Sequence, residues 1–96
     1  MPKYLVTYDL VGTDETSQDY ERLIAEIQKY SWCKIQKSVF IISTSETRAK
    51  TIADALWKHM DPNDRLMVIE VAYNFAHVNS ISEQSGEDWL ERTFAA

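Results

Sequence analysis

The first strand of the fold is marked by an alternation of apolar and mixed positions over residues 3–10. One set of alternate positions is wholly apolar: Tyr4, Val6, Tyr8 and Leu10. The other set is mixed: Leu5, Thr7 and Asp9. Because side chains on a strand alternate between its two faces, this pattern predicts a strand with one apolar face and one mixed face. Asp9 ends the mixed face. It is the first candidate functional residue, since Asp is rare inside strands and α/β folds gather their chemistry at strand ends.

Two helices are predicted from apolar residues at helical spacing. The stripe of the first helix is Tyr20, Leu23, Ile24 and Ile27, and that of the second is Ala49, Ile52, Ala53, Leu56 and Met60. Either Thr16 or Ser17 is expected to cap the first helix. Residues 43–46, Ser-Thr-Ser-Glu, have the form of a capping box that would start the second helix. Residues 61–64, which include a proline, would end it.

Two further segments are predicted to be extended. Residues 32–43 are too rich in β-branched and aromatic residues for a helix, and the segment is too long for one strand. The polar residues 36–38 are therefore predicted to form a tight turn or a bulge between two strands. Residues 65–71 form the last strand. The order strand, helix, strand, strand, helix, strand predicts an α+β, ferredoxin-like βαββαβ fold with an antiparallel sheet.

Both helices of this fold cover the same face of the sheet. The other face would carry Leu5, Thr7 and Asp9 together with one of the two alternating sets of the last strand. These sets are Leu66, Val68, Glu70 and Met67, Ile69, Val71. An exposed apolar surface of that extent usually binds a partner. A fold of this class hosts many unrelated functions, so the architecture alone predicts only a small dimeric α/β domain.

Composition narrows the function classes. The 96 residues make one small domain, which would gain burial by forming a homodimer. Fifteen acidic against ten basic residues leave a net charge of −5, which argues against a broad surface that coats nucleic acid. No apolar run approaches the roughly 20 residues of a membrane span, so we expect a cytoplasmic protein without a membrane partner. The single cysteine, Cys33, is predicted to be a buried small hydrophobe.

Two motifs resemble those of a known family. Residues 4–10, Tyr-Leu-Val-Thr-Tyr-Asp-Leu, and residues 36–40, Gln-Lys-Ser-Val-Phe, are similar to the first strand and the Gln-x-Ser-Val-Phe segment of the small CRISPR-associated adaptation protein Cas2. VapD-like toxins and SinR-type proteins share this layout, and the resemblance covers residues 3–71. It implies a ferredoxin-like homodimer in which the first-strand Asp of each subunit faces a divalent metal. In this chain that residue is Asp9, with Ser38 as its expected neighbour.

Two functions of different classes follow from the resemblance. The first is an endonuclease that uses Asp9, Ser38 and Mg²⁺ or Mn²⁺ to cleave RNA or DNA phosphodiesters. Mg²⁺ prefers hard oxygen ligands and keeps several waters, so one carboxylate from each subunit and a substrate phosphate would suit it. The loop acids Asp14 and Glu15 are candidates to assist.

The second function is a non-catalytic dimeric scaffold that binds protein or nucleic acid. Asp9 would then be structural, for example by bonding loop amides at the end of the strand. Two observations favour the scaffold: the acidic net charge, and Ile41, which stands where many Cas2 proteins have Glu.

The C-terminal part of the chain is predicted to be a tail on a ferredoxin-like domain, with the domain at 3–78 and the tail at 79–96. The resemblance implies that Tyr73–Val78 is a short fifth strand pairing with the partner subunit's edge. Residues 85–88, Ser-Gly-Glu-Asp, resemble a helix start, followed by an apolar patch of Trp89, Leu90 and Phe94. That patch would either dock on the protein's own surface, which is the preferred interpretation, or bind a partner protein.

Overall fold

The computed structural model describes residues 1–11, 18–72, 88–90 and 92–93. Its strands are β1 (Lys3–Asp9), β2 (Ser31–Gln36), β3 (Val39–Ser43) and β4 (Arg65–Glu70). Its helices are α1 (Gln18–Ile27) and α2 (Ala49–Trp57). The four strands form one antiparallel sheet in the order β2-β3-β1-β4. The predicted α+β, ferredoxin-like fold is therefore confirmed.

The core lies between one face of the sheet and the two helices. The wholly apolar positions of β1 are its centre, with Tyr4, Val6 and Tyr8 all buried. Helix α1 contributes Leu23 and Ile27 at i and i+4, and α2 contributes Ile52 and Leu56 at the same spacing. The apolar stripes in the sequence thus correspond to the faces that pack on the sheet.

The segment predicted to contain a turn or a bulge contains both. Lys37 and Ser38 form a two-residue turn between β2 and β3. The register of these strands shifts between Lys34 and Gln36, which leaves Ile35 as the extra residue of a β-bulge. The turn directs β3 back along β2 and brings Ser38 to the end of the sheet where β1 finishes.

The capping box predicted at residues 43–46 is wrong. Helix α2 begins only at Ala49, because Arg48 is extended (φ −124°, ψ 119°) and its side chain makes no cap hydrogen bond. The Thr44 Oγ1 accepts from the Glu46 amide at 3.1 Å, and the Glu46 carboxylate accepts from the Arg48 amide at 3.0 Å. These residues therefore stabilise a loop before the helix rather than its first turn.

A core tyrosine holds this loop in place. The Tyr4 hydroxyl donates to the Glu46 carbonyl at 2.9 Å, across 42 residues of sequence. The ring of Tyr4 is buried, and its hydroxyl needs an acceptor inside the protein. Burial, with the nearby Glu70 and Glu46 carboxylates, raises the pKa of Tyr4. The hydrogen bond from Tyr4 thus ties the loop before α2 to the core.

Several predictions fall on residues outside the described part of the chain. They are the cap of α1 at Thr16 or Ser17, the assisting acids Asp14 and Glu15, the fifth strand Tyr73–Val78, the domain boundary at 78/79, the helix start at 85–87 and the position of Phe94. Within the described residues, no helix is long and apolar enough to cross a membrane.

Candidate functional site at the end of the first strand

Asp9 is the last residue of β1 and is exposed to solvent. It lies on the face of the sheet opposite the helices, because it follows Leu5 and Thr7 at alternate positions. Its partner across the β1–β4 ladder is Arg65, the first residue of β4. The carboxylate of Asp9 makes no hydrogen bond or ion pair with the residues that the structure describes. It is therefore available to a ligand.

Ser38 lies at the same end of the sheet as Asp9. Its carbonyl accepts a hydrogen bond from the Tyr8 amide at 3.2 Å, directly before Asp9 in the chain. Ser38 itself is half-buried. The two residues singled out in the sequence are thus brought close together, Asp9 by the end of a strand and Ser38 by the turn of a hairpin.

A second acid, Asp64, has the structural role that the sequence left open for Asp9. Its carboxylate is buried and accepts from two backbone amides, that of Val11 at 2.9 Å and that of Asp61 at 2.7 Å. The first bond joins the chain beyond β1 to the turn before β4, across 53 residues. From the sequence, Asp64 was expected only to lie in the turn that ends the second helix and at the entry into the last strand, with no role for its side chain. Its position directly before a strand, in a turn rich in Asp and Asn, was the available signal.

The face of the sheet that carries Asp9 has an apolar patch on β1 and the neighbouring edge strand β4. Leu5 pairs with Ile69 and Thr7 pairs with Met67, so Met67 and Ile69 belong to the open face, while Leu66 and Val68 pack against the core. Met67 is 58% exposed and Ile69 is 50% exposed. This register settles which alternating set of the last strand faces away from the helices.

The other half of this face is covered by the C-terminal segment. Leu90 is only 2% exposed and packs with Cys33, and Ile41 and Trp89 lie against them. The indole N–H of Trp89 donates to the Ser31 hydroxyl at 3.1 Å. For Trp89 and Leu90, the preferred prediction of self-docking agrees with this structure.

This small cluster accounts for two features of the sequence. Cys33 is buried, and burial raises the pKa of its thiol, as expected for a structural cysteine. Ile41 is apolar because it packs beneath the C-terminal segment. A carboxylate at that position would be placed against apolar side chains, where a charge is unfavourable.

The family assignment follows from a comparison with protein-family models. The model described as CRISPR associated protein Cas2 matches residues 1–74 of the chain. The chain belongs to this family. The match includes all four strands and both helices, whereas the docked residues Trp89 and Leu90 lie beyond it. The resemblance noted in the first strand and at residues 36–40 is confirmed, and membership of the Cas2 family makes this a CRISPR-associated protein.

The Asp9 carboxylate alone does not complete a metal site. Further ligands would have to come from outside the described residues of one subunit. Among those residues, no three His, Cys, Asp or Glu side chains lie close enough together to hold a metal ion. Mg²⁺ is commonly bound through one or two carboxylates, substrate phosphates and water. One exposed carboxylate at the end of a strand fits that type of site.

Proposed function

We propose that this Cas2-family chain is a homodimeric, divalent-metal-dependent endonuclease that acts on RNA or DNA, with Asp9 of both subunits at its centre. The observation that carries the proposal is the contrast between two acids at one end of the fold. Asp64 is buried and bonded to backbone amides, whereas Asp9 is exposed and its carboxylate makes no hydrogen bond or ion pair with the described residues. A structural requirement for a carboxylate there is already met by Asp64.

The dimer in this proposal forms through the open face of the sheet. Met67 and Ile69 expose large apolar side chains beside Leu5, and a patch of this kind favours association. A two-fold dimer uses the same surface on both subunits, so each residue near the axis is present twice. Asp9 ends the strand that contains Leu5, which favours an arrangement in which the two Asp9 carboxylates approach each other.

Asp9 would bind the metal through its carboxylate oxygens, and Ser38 would help to position substrate or water through its hydroxyl. When bound, Mg²⁺ or Mn²⁺ would neutralise negative charge on the phosphate and activate a water molecule as the nucleophile. A single subunit would hold only one of the carboxylates. Activity is therefore expected to require the dimer.

A non-catalytic scaffold is the second candidate, and Ile41 favours it. The position where many relatives have Glu is here occupied by an apolar residue that packs with Leu90. The net charge of −5 also favours protein partners over long contacts with nucleic acid. In this alternative the exposed Asp9 would be a surface residue with no catalytic role.

Cleavage of labelled single-stranded RNA and double-stranded DNA tests the proposal. The wild-type protein would be compared with Asp9→Asn and Ser38→Ala, in Mg²⁺, in Mn²⁺ and in chelator. Asp61→Asn is the matched control, because its side chain is exposed at the same end of the fold. Loss of a residue that only orients a metal ligand costs about 10- to 100-fold in metal affinity or activity, so loss of Asp9 as a ligand itself should cost about 100-fold or more.

The oligomeric state would be measured by analytical ultracentrifugation for each variant. Metal-dependent cleavage that Asp9→Asn abolishes and Asp61→Asn retains would support the nuclease. A folded dimer that cleaves neither substrate would favour the scaffold. Cleavage that survives in chelator, or in an obligate monomer, would contradict the proposed site.

A further inference from the structure

A groove beside the start of β4 is lined by one aromatic and one cationic side chain, Trp57 and Arg65. It has a volume of about 440 Å³ and runs between α2 and β4, the edge strand next to β1. Its wall includes Ala53, Trp57, Asp64, Arg65 and Leu66. Ligand sites in proteins have volumes of roughly 300–1,000 Å³, so the groove is large enough for one nucleotide.

Trp57 supplies an exposed aromatic surface in this groove. It is 42% exposed although it ends a helix whose other large apolar residues, Ile52 and Leu56, are fully buried. Its ring makes no contact with another aromatic ring or cation among the described residues. An exposed indole is a platform on which any base can stack, because every base has a π-face.

Arg65, the first residue of β4, supplies a cation to the lining of the groove. Its side chain is exposed and forms no hydrogen bond or ion pair within the described parts of the chain. It also lies opposite Asp9 in the β1–β4 register. A guanidinium is well suited to bind phosphate through paired N–H donors.

The two acids of the groove restrict where a phosphate can lie. Asp64 is buried, and its carboxylate already accepts hydrogen bonds from two backbone amides. Asp54 is exposed, and its carboxylate pairs with the Lys50 ammonium at 3.0 Å, so the helix side of the groove carries an acid whose charge is only screened by solvent and by a surface ion pair. Repulsion from Asp54 disfavours a phosphate near the helix and leaves Arg65 as the favourable contact.

From this geometry we infer that the groove between α2 and β4 binds one unpaired nucleotide, with Trp57 stacking on the base and Arg65 contacting the phosphate. The inference deepens the proposed function. It rests on that function for the path of the bound nucleic acid, which would pass from Arg65 to the neighbouring Asp9. It also defines a substrate class, because a base held in a duplex does not present its face to Trp57. The site therefore selects single-stranded nucleic acid.

Binding in chelator separates this inference from the proposed nuclease. Fluorescence anisotropy would be measured with a labelled single strand of about 12 nucleotides, as DNA and as RNA, and with the same DNA annealed to its complement. All variants would be built in the Asp9→Asn background, so that neither metal nor cleavage contributes. Trp57→Leu is the test substitution, and Trp32→Leu is its control. The control removes an indole of similar exposure, 39%, on the other edge strand.

Trp57→Leu should weaken single-strand binding about tenfold, given the usual contribution of base stacking, while Trp32→Leu should not. Trp57→Phe retains an aromatic face and should recover most of the affinity. Arg65→Gln should weaken binding and reduce its salt dependence, whereas the exposed Arg48→Gln before α2 should do neither. Asp54→Asn should tighten binding, a gain that damage to the fold would not produce.

The inference is overturned if no single strand binds, if Trp57→Leu and Trp32→Leu behave alike, or if the duplex binds as tightly as the single strand. Circular dichroism of each variant checks that the fold is retained. If cleavage depends on Asp9 but the Trp57 variants bind normally, the proposed nuclease is supported and the proposed nucleotide site in the groove is refuted. If binding follows these expectations and no cleavage occurs, the groove stands without the nuclease.

Discussion

Replacement of Asp64 by Ala is expected to destabilise the protein far more than replacement of Asp9, although both acids lie at one end of the sheet. Asp64→Ala removes two hydrogen bonds to a charged acceptor, one of which crosses 53 residues of sequence. Bonds to charged groups contribute about 1.5–3 kcal/mol each. Because Val11 lies in an exposed segment, water can replace part of this loss, and we expect about 2–4 kcal/mol.

Asp9→Ala should change the free energy of unfolding by about 0.5 kcal/mol or less, as is usual for an exposed side chain without partners. Asp64→Asn retains one acceptor oxygen and should fall between the two. The control is Asp61→Ala, which removes an exposed carboxylate but keeps the Asp61 amide that Asp64 binds. Urea denaturation at a fixed protein concentration measures the differences, since the stability of a dimer depends on concentration.

Equal losses in Asp9→Ala and Asp64→Ala would refute this reasoning, because Asp9 would then have the structural role assigned to Asp64. A loss in Asp64→Ala no larger than in Asp61→Ala would refute it as well. The expected result, a stable Asp9→Ala protein beside a destabilised Asp64→Ala protein, would mean that any defect of Asp9 variants in cleavage comes from the site and not from the fold.

Three further predictions concern the C-terminal cover and the core tyrosine. Leu90→Ala should expose the Cys33 thiol, which should then react about tenfold faster or more with a disulfide reagent. The reaction should also begin at lower pH, because burial raises the pKa of Cys33 in the native protein. Unchanged reactivity would contradict the packing of Leu90 on Cys33. Ile41→Glu should cost about 1–3 kcal/mol and also expose Cys33, whereas Ile69→Glu, on the uncovered half of the face, should leave Cys33 protected. Tyr4→Phe should cost about 1 kcal/mol at neutral pH through its lost hydrogen bond. Because the pKa of Tyr4 is raised in the folded state, its protonated form stabilises the native state below pH 10, and this stabilisation is lost as the pH rises further. The deficit of Tyr4→Phe should therefore shrink above pH 10, and a deficit that stays constant to high pH would contradict this.

The elements of this fold could be predicted because their signals are local. The alternation in residues 3–10 and the helical spacing of Leu23 and Ile27 depend only on which positions face the core, and strand and helix periods differ enough to be told apart. The order of elements then limited the topology to very few solutions. The two motifs at residues 4–10 and 36–40 added the family, which the match over residues 1–74 confirmed.

The start of α2 was predicted wrongly because a long-range contact overrides a local pattern. Residues 43–46 contain every feature of a capping box, yet the Tyr4 hydroxyl, 42 residues away, fixes the Glu46 carbonyl in an extended loop. A buried donor without an acceptor costs about 1–3 kcal/mol, against about 0.5–2 kcal/mol for the loss of a helix cap, so the tertiary contact is strong enough to compete with the local pattern. Sequence proximity could not reveal that competition.

The amino-acid sequence by itself thus determined the strands, the helices, their order and the acid at the end of β1, because backbone periodicity and turn chemistry are properties of neighbouring residues. Only the tertiary structure decided which of two acids is structural, since the roles of Asp9 and Asp64 depend on which backbone amides the fold brings within hydrogen-bond distance. It also decided that Ile41 belongs under Leu90. The Val11–Asp64 bond joins residues 53 positions apart, and Ile41 and Leu90 are similarly distant in the sequence, so these contacts exist only once the sheet has formed.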